Sequence, residues 1–293
     1  MKKVAILFLA ICLGICTSAQ QRLLTWAPEF AVDNSTITIT TDCTKGNQGL
    51  LNYEGGNSNN VYVHIGVITS VNPTAGAWQH VPFTWGSTTP AAKATPLGNN
   101  KYSYTITNIR SFFGVPAAET ILKVAIIFRN ATGSLKQVNS DGSDMYVPVY
   151  AASEFAVRLN LPPFEPRFTP WLEPITAGVG QQINITGVSS QNSNLSLTLN
   201  GNNIGAANGV NTLSASPTLN SNCDQKVILT GTNGPNTAKD SFSFYIPPTT
   251  VIENLPSGVQ DGINYLPGNT SVTLVLFAPL KTSAVVIGDF SNW

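Results

Sequence analysis

The sequence predicts an all-β chain of tandem β-sandwich domains. Three observations predict it. Stretches such as "STITITT", "KYSYTI" and "DSFSFYI" alternate apolar and polar residues, the period of a half-buried strand. Clusters of Gly, Pro, Asn, Ser and Thr separate these stretches at short intervals, as turns between strands do. No alternating βα pattern occurs anywhere along the 293 residues.

The elements follow in order. "MKK", "VAILFLAICLGIC" and "TSA" read as the charged, apolar and cleavage regions of a signal peptide over residues 1–19. The apolar run is short for a membrane span of about 20 residues, and no later segment is a better candidate. The expected location is therefore secreted or cell envelope, periplasm or outer surface. Residues 21–155 carry the strands "STITITT", "NVYVHIGVIT", "KYSYTI", "TILKVAIIFRN" and "DMYVPVY", with a helical turn or irregular loop at "IRSFFGVPAAET". This is the pattern and size of one antiparallel sandwich. The Pro-rich "LPPFEPRFTPW" marks a boundary, because prolines at that density do not sit inside a central strand. Residues 165–248 hold "QQINITGVSS", "LSLTLNG", "QKVILTGTNG" and "DSFSFYI", short strands suited to a small immunoglobulin-like sandwich. Residues 249–293 begin a third domain with a strand from Ser271 to Ala278 and another from Val285 to Ile287. A lone opening strand lacks pairing partners, so this domain is expected to be incomplete.

Composition excludes several functions. Charged residues are 10% of the chain and the formal net charge is zero, so no basic stripe or charge block points to nucleic acid. Cys43 and Cys223 have no CxxC or His-spaced partner, which argues against a zinc site. "NSDGSD" lacks the order and distal Glu of a calcium loop and reads as a hairpin turn. His64 and His80 share no ligand motif. No nucleophile elbow, zincin helix or phosphate loop is present. Neither metal nor cofactor is expected, and no catalytic residue is assigned.

Some stretches carry a resemblance. "VYVHIGVIT", "WQHVPFTWG", "NNKYSYTITNIRSFFGVPAAETILKVAIIFRNATGS" and "DGSDMYVPVY" resemble the starch-binding modules of outer-membrane starch-utilisation systems of Gram-negative bacteria. They are similar also to N-terminal modules of secreted amylases. "GINYLPGNTSVTLVLFAPLKTSAVVIGDFSNW" resembles the start of the early-set, carbohydrate-binding-family-48-like domain that precedes the barrel of many α-amylase-family enzymes. The middle segment resembles a generic bacterial immunoglobulin-like spacer. These resemblances imply the front part of a secreted α-amylase-family glycoside hydrolase. The implied partner is an α-glucan polysaccharide or oligosaccharide, and the catalytic domain would lie C-terminal to this chain. A stand-alone surface glycan-binding protein and a sandwich-built adhesin are the competing classes.

Candidate binding residues follow from sugar chemistry. A pyranose presents an apolar C–H face that stacks on an aromatic ring, with hydroxyls for nearby polar groups. Trp78 and Trp85 share a loop-like stretch rich in Gly, Pro and Thr. They form a stacking platform, or one of them packs in the core. Arg129 and Asn130 end a strand; Arg129 has donors suited to vicinal hydroxyls, while Asn130 suits the turn that follows. By resemblance, Lys93 donates to a sugar hydroxyl and Trp293 stacks on glucose.

Overall fold

Strands whose apolar residues recur at every second position bury one face, and two antiparallel sheets bring such faces together in the first module. The computed structural model describes residues 22–248, 254–268, 270–279, 281 and 286. It divides into two compact units, Met1–Pro248 and Thr249–Trp293. The first module contains β1 (Leu24–Ala27), β2 (Ile37–Asp42), β3 (Val61–Thr69), β4 (Thr95–Gly98) and β5 (Lys101–Ile106), then helix α1 (Ile109–Phe113), β6 (Ile121–Asn130), β7 (Lys136–Gln137) and β8 (Met145–Pro148). One sheet has the order β1-β2-β5-β4; in the other, β6 pairs with β3, β7 and β8. The register sets Ile37 opposite Ile106 and Ile39 opposite Tyr104. These side chains meet Val63, Ile65, Ile126 and Phe128 of the facing sheet in a buried core. Each such side chain contributes about 1.5–3 kcal/mol by leaving water. The "IRSFF" turn is helical because Asn108 caps it, accepting from Ser111 N at 3.0 Å, and Gly114 ends it at φ 63°.

The second module is built from β9 (Val157–Leu161), β10 (Phe164–Glu165), β11 (Trp171–Leu172), β12 (Ile185–Leu199), β13 (Asn202–Ala215), β14 (Cys223–Asn233) and β15 (Asn236–Ile246). Strand β12 changes partner midway: Thr186–Ser189 pair with β9, whereas Asn194–Leu199 pair with β14. Its register against β13 breaks between Val188 and Ser193, between its two pairing stretches. Leu195, Leu197, Val227, Leu229, Phe242 and Phe244 fill a core separate from that of the first module. The Pro-rich segment between the modules folds back on the first: Tyr146 N donates to Pro166 O at 2.7 Å, and Phe168 meets the Tyr146 ring edge-on at 5.3 Å.

In the second unit, β16 (Gly262–Tyr265) and β17 (Val272–Val275) form an antiparallel hairpin. The strand expected over 271–278 is thus confined to its first half. The signal peptide, most of the second strand expected in this segment, the "GDFSNW" turn and Trp293 lie outside the described residues. Cys43 is buried, its thiol pushed up to about 12 first by burial and then by Asp42, while Cys223 is exposed; both are free.

Candidate functional site

The candidate site lies on the outer face of the β3–β6 ladder. Side chains alternate along a strand, so Val61, Val63, Ile65 and Val67 enter the core and Tyr62, His64, Gly66 and Ile68 turn the other way. Opposite them on β6, in register, stand Arg129, Ile127, Ala125 and Lys123. Residues 70–93 cover the part of this face around His64 and Gly66, while Phe168 packs at the Ala125 and Lys123 end. The 70–93 segment is fastened to the free edge of β3 at two points. Gln79 N donates to Val67 O at 2.8 Å and Val67 N donates to Gln79 O at 2.9 Å. Further along, Lys93 is bridged to Tyr62, and Ala94 N donates to Val61 O at 2.9 Å. Gly66 permits the close approach: a Cβ there would lie 2.9 Å from Val81 Cγ2 and 3.1 Å from Gln79 O.

The two tryptophans of this segment divide the work. Trp78 is half-buried, packed on the small cluster of Ile68, Ala125 and Tyr146, and its Nε1 donates to Asp144 at 3.1 Å. Trp85 is 43% exposed, and its Nε1 has no acceptor among the described residues. His64 stands between them, stacked on Trp78 at 5.3 Å with 19° between planes and edge-on to Trp85 at 5.1 Å. Burial holds the His64 imidazole below its ordinary value of 6.5, the Arg129 charge adds to this, and Asp144 and the Phe83 backbone oppose it. Its Nδ1 is buried without a hydrogen-bond partner. A neutral ring suits this place; an imidazolium would face a guanidinium.

Arg129, expected to donate to ligand, is fully buried. Its guanidinium donates to the carbonyls of Asn130 at 2.9 Å, Ala131 at 3.1 Å and Ser87. Its Cζ lies 5.6 Å from the Trp85 ring centroid and 5.8 Å from that of Tyr62. Arg129 therefore clamps the Trp85 segment to the turn after β6; its Nε is buried without an acceptor, and burial of the whole side chain closes it to a sugar. Burial lowers its pKa, countered in part by Tyr62. The Trp85 ring also rests on Gly133, where φ is 76° and a Cβ would meet Nε1 at 2.4 Å. Asn130 serves the turn, accepting from Leu135 N at 3.2 Å and donating to Ser134 Oγ at 3.0 Å. Lys93 is exposed, and directly opposed residues of an antiparallel pair project to one face, which here is the face of Tyr62.

The remaining motifs settle into local roles. "NSDGSD" is a turn in which Ser143 N donates to Asp141 Oδ1 at 2.9 Å. His80 Nε2 lies 3.1 Å from Glu119 Oε2. Among the described residues no group of three or more His, Cys, Asp or Glu side chains is placed to hold a metal ion, and no helix is long and apolar enough to cross a membrane. Sequence reasoning missed His64 as a member of the site. The signal was its alternation with Tyr62 and Gly66, which sets it on the face opposite the core.

No family model and no curated protein matches the chain. Among solved structures it is similar to fibronectin(III)-like modules of CbhA from Clostridium thermocellum, with 13% identity over 76% of this chain and 93% of that one, at a TM-score of 0.26. The D0–D1 domains of intimin match at 12% identity over 76% of this chain and 97% of that one, with a TM-score of 0.33. The BSP domain of a biofilm-associated protein matches at 10% identity over 78% of this chain and 30% of that one, with a TM-score of 0.31. At these TM-scores the likeness carries nothing about function. The all-β, antiparallel architecture rests on the chain's own strands.

Proposed function

We propose that the first module binds α-glucan, and that the chain is the non-catalytic front part of a secreted α-amylase-family glycoside hydrolase. The observation that carries the reading is Trp85, a half-exposed ring held in place by Arg129, His64 and Gly133. Pre-orienting an aromatic face removes ordering cost from a weak ligand contact. The indole N–H and the Lys93 ammonium supply donors for hydroxyls beside that face. Trp78, His64 and Arg129 act as its support rather than as contacts. The wider setting rests on the resemblance of residues 262–293. The described strands hold no βα barrel on which a hydrolytic carboxylate pair would stand.

Stacking and a few exposed hydrogen bonds give about −4 to −7 kcal/mol, a dissociation constant from high micromolar to millimolar. The test is affinity electrophoresis of the full chain in gels containing soluble starch. The wild type is retarded, Trp85→Ala migrates as in a starch-free gel, and Lys93→Ala falls between them. Equal retardation of wild type and Trp85→Ala, or no retardation of either, overturns the reading.

A further inference from the structure

A cavity apart from the Trp85 site lies between the two modules of the first unit. The outer face of β6 and β8, the folded-back segment 164–170, and strands β9 and β15 enclose a crevice of about 360 Å³. Its size falls at the small end of ligand sites. Pro148, Phe164, Pro166 and Pro170 give it apolar surface, and Lys123, Asn160 and Ser241 bring polar groups to it.

Most charges around the crevice are already matched. Arg158 and Arg22 share Glu29, the latter at 3.9 Å. Arg167 pairs with Asp141 at 2.8 Å and Glu165 at 2.6 Å. The Asp240 carboxylate accepts from Leu159 N at 2.7 Å and Ser241 N at 2.8 Å. Lys123 is the exception. It has no carboxylate or hydrogen-bond acceptor among the described residues, only the Phe168 ring 5.1 Å from its Nζ. Burial alone lowers its pKa. A half-buried ammonium without an anion is costly, and a bound anion relieves that cost. Asn160 offers a second donor, open to solvent. It is 7% exposed, its Oδ1 accepts from Arg158 Nε at 3.0 Å, and its Nδ2 has no partner among the described residues.

We infer that the crevice binds a small hydroxylated monocarboxylate of the uronic-acid class, with the carboxylate on Lys123 Nζ and hydroxyls on Asn160 Nδ2 and Ser241 Oγ. One unmatched cation calls for one negative charge. A dianion would also meet the Glu165 and Asp240 carboxylates that line the same space. Those carboxylates instead suit hydroxyl donors. The site does not depend on Trp85, which is not among its lining residues.

The experiment uses the full chain with lysines reductively dimethylated with 13C, which keeps their charge. D-Glucuronate is the probe and D-glucose the neutral control. Glucuronate moves the Lys123 resonance with a saturable millimolar midpoint, and glucose does not. In calorimetry, Lys123→Gln weakens glucuronate binding at least about tenfold and Ser241→Ala, at an exposed position, weakens it several-fold. Starch retardation measured alongside is unchanged in both variants. No saturable shift with glucuronate, an equal shift with glucose, or undiminished binding by a folded Lys123→Gln overturns the inference.

Discussion

Strand β6 of the first module and strand β15 of the second are both long, and both send one face into a hydrophobic core, but their other faces differ. On β15, Phe242, Phe244 and Ile246 are buried while Ser241, Ser243 and Tyr245 face water. On β6, every residue from Val124 to Asn130 is buried. The sequences already differ in kind: "SFSFYI" alternates and "KVAIIFRN" does not. A run without alternation belongs to a strand covered on both sides. What covers the second side of β6 and β3 is loop rather than another sheet: residues 70–93 over His64 and Gly66, and the segment around Phe168 over Ala125. The polar residues caught beneath it, His64 and Arg129, are engaged in holding Trp85. The second module keeps an ordinary wet face; the first has closed that face with the loop that carries Trp85.

The comparison can be broken at several points. The largest effect belongs to the inner face. Phe128→Ala removes a fully buried ring from the first core and should cost about 3–5 kcal/mol in urea unfolding. Tyr245→Ala, on the wet face of β15, should stay within about 0.5 kcal/mol. Similar losses from both would mean that the two faces are not different in kind.

Gly133→Ala comes next. It adds a Cβ at φ 76° and against the Trp85 indole. The backbone strain alone is worth about 1–2 kcal/mol. Starch retardation should fall as far as in Trp85→Ala although the tryptophan is still present. Normal retardation would show that the position of the ring does not matter.

The inner faces were legible from residues alone, because period-two alternation in "STITITT" and "KYSYTI" reports directly which side chains share a face. The unequal roles of Trp78 and Trp85 were not. Their difference arises where the loop refastens to β3 through Gln79, a contact with no local sequence mark. His64 carried no ligand spacing, so its place between the rings emerged only once the loop was seen to cover it. Arg129 looked like a donor to ligand because five N–H groups at a strand end suit hydroxyls. The carbonyls of Ser87 and Ala131 that take two of those groups, and the burial that closes off the rest, come together only through folding. The crevice beside Lys123 exists because a Pro-rich segment turns back on the first module, where composition suggested only a stiff boundary.

A smaller effect comes from pH. The folded state holds His64 below 6.5, so the unfolded chain binds this proton more readily. The stability contributed by neutral His64 is therefore complete above about pH 6.5 and is lost as pH falls below it. Between pH 7 and pH 5 the urea midpoint of the wild type should drop further than that of His64→Phe. Parallel pH profiles would remove His64 from the account of the covered face.

The most direct measurement follows the tryptophan indole N–H resonances of the full chain during titration with maltoheptaose. The Trp85 signal should move most and saturate in the high-micromolar to millimolar range. The Trp78 signal, whose N–H is held by Asp144 at 3.1 Å, should move less, and that of Trp171, exposed on β11 against Arg167, should not move. A saturable shift at Trp171 with Trp85 unchanged would place the glucan elsewhere and contradict the account.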